Sequence, residues 1–191
     1  MSLKTVRLFI ALPVDDSAVL NYLFDIYRGL DKYSSILKTV DSGNLHITMK
    51  FLGDVAEDKY SKMIDSFSSL EGSVRINYSL KGIGCFPSLS SPSVIWTGIE
   101  CDIKKMSELF LKVEGFCSSF GFEKDTRMFT PHLTMARVRR GKDVPSGLKD
   151  FIRSNKERFY GESVFNRLVF FKSKLDKEGP EYIKIAEVKL S

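Results

Sequence analysis

His46-Ile47-Thr48-Met49 and His132-Leu133-Thr134-Met135 are two copies of one tetrapeptide pattern, and they hold both histidines of this 191-residue chain. Histidine is the side chain whose proton comes and goes near neutral pH. Two of them in matched settings suggest an acid and a base that face one another. Along an extended strand, alternate side chains share a face. His46 and Thr48 therefore point one way, with Ile47 and Met49 turned into a core. His132 and Thr134 share a face likewise, with Leu133 and Met135 behind them.

On either side of the motifs, strand-like and helix-like segments alternate. Arg7 to Pro13 reads as a strand stopped by Pro13. Asp15 or Asp16 caps a helix to about Leu30, with Val19, Leu20, Leu23, Phe24 and Tyr27 as its apolar stripe. Leu45 to Leu52 is the strand of the first motif, followed by a helix from about Ala56 to Leu70. Two strands follow, near Val74 to Cys85 and Ser93 to Glu100. The second half repeats the order. A helix spans about Ile103 to Phe120, with Met106, Leu109, Phe110, Val113, Phe116 and Cys117 facing inward. Phe129 to Val138 is the strand of the second motif, and a helix runs near Val144 to Phe159. Strands near Ser163 to Ser173 and Tyr182 to Leu190 close the chain, joined by an exposed turn at Asp176 to Pro180.

The motif histidines are 86 residues apart (132 − 46), and the elements after them share roughly that offset. The expected fold is α+β and bilobal. Two pseudo-symmetric lobes, each with an antiparallel-type sheet and two helices, enclose an active-site cleft. Residues 1–191 are expected to form that single bilobal domain.

The composition, 43% hydrophobic and 28% charged, is that of a globular protein. No stretch has the length needed to cross a bilayer, and the first residues lack the apolar run of a signal peptide. Cys85, Cys101 and Cys117 form no CxxC pair, and they read as reduced thiols in a cytoplasmic protein. A net charge of +5 and a pI near 9.0 favour a polyanionic partner.

Two imidazoles and two hydroxyls around one point suit a phosphate. The hydroxyls donate to non-bridging oxygens. One imidazole protonates the departing oxygen while the other takes a proton from the attacking water. In-line displacement puts attacker and leaving group on opposite sides, as a two-fold arrangement does. This scheme needs no metal or other cofactor, and none is expected: the chain has no HExxH and no Cys/His cluster.

The segments Leu45-His46-Ile47-Thr48-Met49-Lys50-Phe51-Leu52-Gly53-Asp54 and Arg127-Met128-Phe129-Thr130-Pro131-His132-Leu133-Thr134-Met135-Ala136-Arg137 resemble the two signatures of the two-histidine (2H) phosphoesterases. They are most similar to the RNA 2′,3′-cyclic phosphodiesterases, long described as 2′-5′ RNA ligases. Arg7-Leu8-Phe9-Ile10-Ala11-Leu12 resembles that branch's first strand. The resemblance implies opening of a 2′,3′-cyclic phosphate at an RNA end to leave a 2′-phosphate. It implies His46 as proton donor, His132 as proton acceptor, and Thr48 and Thr134 as phosphate ligands. Met at the fourth motif position, where Leu is commoner, is a conservative departure on the core side.

Further candidates are Arg127, as a phosphate ligand or a solvated surface residue, and Arg139 in a basic loop with Arg140 and Lys142, as a guide for RNA. Phe9 and Phe51 are candidates to stack a base, with core packing as the other reading. Strict alternation turns Arg137 away from the cleft, and Trp96 reads as core. Two other functions stay open: the reverse reaction, 2′-5′ ligation, and a non-catalytic RNA- or nucleotide-binding module. The partners expected are RNA ends, tRNA among them, or cyclic nucleotides, with no membrane and a monomeric protein.

Overall fold

Every residue from Leu8 to Leu12 is buried, so this strand needs cover on both sides and a central place in its sheet. A computed structural model of the chain describes residues 5–125, 129–175 and 180–191. In it β1 (Thr5–Pro13) lies between β3 (His46–Ala56) and β8 (Arg167–Leu175), and β9 (Pro180–Lys189) completes a four-stranded sheet. The second sheet has the order β2 (Leu37–Thr39), β6 (His132–Val138), β5 (Ser91–Cys101), β4 (Ile76–Ser88) and β7 (Phe159–Phe165). All pairings within the two sheets are antiparallel.

Four helices accompany the sheets among the described residues: α1 (Ser17–Asp31), α2 (Glu57–Ser66), α3 (Ile103–Ser119) and α4 (Ser146–Ser154). Asp16 caps α1, its carboxylate accepting from the Ala18 backbone N–H, and Asp102 caps α3 in the same way through Lys104 and Lys105. The inward stripe of α3 is as read from the sequence except that Phe110 is only half-buried and Glu114 is buried. That of α1 is rotated: Val19, Leu23, Ile26 and Leu30 are buried, while Phe24 is 61% exposed. Buried residues of both sheets join in one hydrophobic core. Among the described residues, no helix is long and apolar enough to cross a membrane.

The α+β architecture and its two motif strands are as expected, but the lobes are not the two halves of the sequence. The second sheet draws on the continuous stretch 76–165, with only β2 added from outside. The first combines β1 and β3 with the last two strands. The stretch read as one strand from Ser163 to Ser173 is two strands in different sheets. Phe165 pairs with Ile76 and Arg167 pairs with Lys189, so the chain changes lobe at Asn166. An extended run with no Gly or Pro gives no sign of such a crossing. β2 was not foreseen, and at three residues it is too short to show a period. Residues 176–179 of the expected final turn lie outside the described residues.

Candidate active site

The two motif strands lie against each other where the sheets meet. Both carry an irregularity at the same motif position. On β3, Thr48 pairs with Ala11 and Lys50 with Ile10, which leaves Met49 without a cross-strand partner. On β6, Thr134 pairs with Trp96 and Ala136 with Ile95, which leaves Met135 without one. These are β-bulges, and a bulge resets the in–out alternation beyond it. The bulged Met135 still places its carbonyl, which accepts from the Val40 backbone N–H at 2.8 Å.

The bulge corrects the reading of Arg137. Met135 and Ala136 are both buried, and Arg137 comes out on the cleft side. Phe51, the matching residue beyond the Met49 bulge, does the same and is 53% exposed. The cleft has a volume of about 750 Å³, and its lining includes His46, Thr48, Thr134, Phe9, Phe51 and Arg137. It also includes Arg7 and Lys38. Among the described residues, neither these two cations nor Arg137 has a carboxylate partner, while Asp41 and Glu181 contribute negative charge to the same lining.

Both imidazoles are held alike. His46 Nδ1 lies 2.6 Å from the Asn44 carbonyl and His132 Nδ1 lies 2.8 Å from the Thr130 carbonyl. A carbonyl only accepts, so each Nδ1 carries the hydrogen and is held by the backbone. Aromatic rings pack both histidines. Phe9 stands 5.0 Å from His46, with Tyr182 edge-on at 5.3 Å. Phe86 is edge-on to His132 at 5.0 Å, and Trp96 stands 6.4 Å away. Trp96 is thus not a plain core residue. It is half-buried beside His132 and lies across Gly84, which leaves room for its ring by having no side chain.

His46 titrates below the usual histidine range. Burial is the main cause; the positive charges of Arg137 and His132 add to it, and the Asn44 carbonyl opposes it. The charge of His132 thus reaches His46, although His132 is not itself part of the cleft lining. Phe9 is buried, as core packing implies, but in the wall of the cleft against Phe171 and Tyr182. Arg139 is exposed and away from the lining. Arg127 lies outside the described residues. Lys38 carried no signal because its strand, β2, was not foreseen, and Tyr182 carried none because its strand, though read, is placed beside His46 only once the sheets are assembled.

An RNA 2′,3′-cyclic phosphodiesterase of Methanocaldococcus jannaschii is 34% identical over 182 residues, which is 95% of this chain and 99% of that protein. The chain belongs to the LigT-like phosphoesterase family. The family profile, LigT like Phosphoesterase, matches residues 14–96. A second relative of this family, the RNA 2′,3′-cyclic phosphodiesterase of Archaeoglobus fulgidus, is 32% identical over 92% of the chain and 96% of its own length. Two crystal structures share the fold. Escherichia coli LigT complexed with 3′-AMP superimposes with a TM-score of 0.73 at 19% identity, covering 98% of this chain and 99% of that one. TT0787 of Thermus thermophilus gives 0.74 at 20% identity, covering 96% and 97%.

Proposed function

We propose that this LigT-like phosphoesterase opens 2′,3′-cyclic phosphate ends of RNA by water, with His46 as general acid and His132 as general base. The observation that carries the reading is the matched pair of imidazoles. Both sit on bulged strands of opposed sheets, and both are fixed with Nδ1 protonated.

The His132 Nε2 takes a proton from water as the water oxygen bonds to phosphorus. The bond from phosphorus to the 3′ oxygen breaks, and the His46 Nε2–H gives that oxygen its proton. The phosphate stays on the 2′ oxygen. Thr48 and Thr134 donate to its non-bridging oxygens, where negative charge builds. His46 needs its proton for this, yet in the free protein it binds one weakly. A bound phosphodiester supplies the missing anion, offsets Arg137, and raises the affinity of His46 for its proton. The acid is thus charged most readily when substrate is present.

The cations of the lining, Arg7, Lys38 and Arg137, support an RNA end as the occupant. The shared core of both sheets supports residues 1–191 as one unit, which we take to act as a monomer in the cytoplasm. The test is product analysis on an RNA oligomer with a 2′,3′-cyclic phosphate, in excess chelator. A 2′-phosphate end is expected, and His46→Ala and His132→Ala should each lose on the order of 10²- to 10⁴-fold in kcat. Full turnover by either folded variant ends the acid–base pairing.

A further inference from the structure

A buried ion pair stands behind the cleft and takes no part in the chemistry above. Beyond the bulge, β6 carries buried Ala136, whereas the matching position of β3 carries Lys50. The Lys50 side chain is 10% exposed, and that of Glu114 on α3 is 3% exposed. Nζ lies 2.8 Å from Oε1 and 2.9 Å from Oε2. A buried pair of charges is a poor source of stability compared with apolar side chains of the same volume. Stability is therefore a weak reason for a lysine at a core position.

What the pair holds is more telling. Lys50 Nζ also donates to the Glu123 carbonyl at 2.7 Å, and Glu114 Oε2 accepts the Asp125 backbone N–H at 3.0 Å. Glu123 and Asp125 belong to the segment that leaves α3 and leads to Thr130, whose carbonyl orients His132. Cys117 packs beside the pair, and burial pushes its thiol up to about 12, so it stays neutral. Lys50 itself lies two residues beyond Thr48. One ion pair therefore ties the strand of the first motif to the segment that follows α3.

We propose that Lys50 and Glu114 are positioning residues that fix how His132 faces His46 across the phosphate. The proposal rests on the acid–base reading. The double variant Lys50→Met/Glu114→Leu replaces the pair by apolar groups of similar size, which a core tolerates, and removes its two hydrogen bonds to the Glu123 carbonyl and the Asp125 N–H. With the cyclic-phosphate oligomer as substrate, the expected result is a wild-type melting temperature, an unchanged KM and a kcat lower on the order of 10²-fold, as for a small misplacement of a catalytic group. Lys50→Arg, which keeps the charge and the donors, should recover most of the loss. Wild-type kcat in the double variant, or a loss carried by KM alone, overturns the proposal. Should the double variant not fold, Glu114→Gln decides by the same split between kcat and KM, and failure of both to fold assigns the pair to folding and overturns it too. His46→Ala and His132→Ala run alongside. Turnover surviving in those refutes the acid–base reading, whereas their loss beside a fully active double variant refutes the positioning role only.

Discussion

Gly84→Ala probes how closely the wall behind His132 is packed. Gly84 pairs with Trp96 across β4 and β5, and the indole lies over it. A methyl group there would overlap Trp96 Cη2 and Cζ2 and stand 2.7 Å from Cζ3, where ordinary contact begins near 3.4 Å. The ring has to retreat by at least about 0.7 Å, the difference of those two distances. Gly98 lies on one side of it, and Phe86 and His132 pack against it. Overpacking of this kind costs about 1–3 kcal/mol. At roughly 2–4 °C per kcal/mol for a chain of this size, melting should fall by about 2–12 °C. Displacement of the His132 neighbour should also lower kcat, by up to about 10²-fold. Gly115→Ala is the control: nothing lies within 4 Å of its new methyl group, and in a helix the change should stabilise by about 1 kcal/mol. Thermal melts and steady-state rates on the cyclic-phosphate oligomer measure both effects. A Gly84→Ala protein that melts and turns over like wild type refutes the packing account.

The electrostatics of the cleft can be tested at His46 and at Lys38. In an NMR titration, His46 should have its midpoint below 6.5, and Arg137→Met should move it upward by removing a positive neighbour. Because the unfolded chain protonates this histidine near 6.5 and the folded chain resists, stability should fall as pH drops below 6.5 and level off once the folded value is passed. A midpoint at or above 6.5 contradicts both statements. Lys38→Met should weaken binding of an RNA oligomer and flatten the log–log salt dependence by about 0.7, the value of one lost phosphate contact to a single strand. An unchanged slope removes Lys38 from the RNA path.

Much of this architecture was legible in the chain because period-two and helical patterns survive where a face is buried. Leu133 and Met135 behind the second motif, and Met106, Leu109 and Val113 on α3, show it. The motif residues were found because repetition marks them twice. Arg137 was misread because strict alternation fails at a bulge, and a single methionine in a strand does not announce one. Trp96 was misread because its place depends on Gly84, on another strand. The Lys50–Glu114 pair was missed for the same reason: a lysine after a motif reads as solvated until α3 is seen beneath it. The split of Ser163 to Ser173 between two sheets was not legible because nothing near Asn166 signals the change of sheet.

That crossing at Asn166 has a bearing on how the enzyme comes into being. On a ribosome, His46, Thr48, His132 and Thr134 all emerge before β8 and β9 exist. Until that hairpin slots beside β1, His46 has neither Phe171 nor Tyr182 against it, and the cleft lacks a wall. A chain released early would keep both motifs and lack the side of the cleft that β8 and β9 build, so the pocket takes its shape only after these two strands are made.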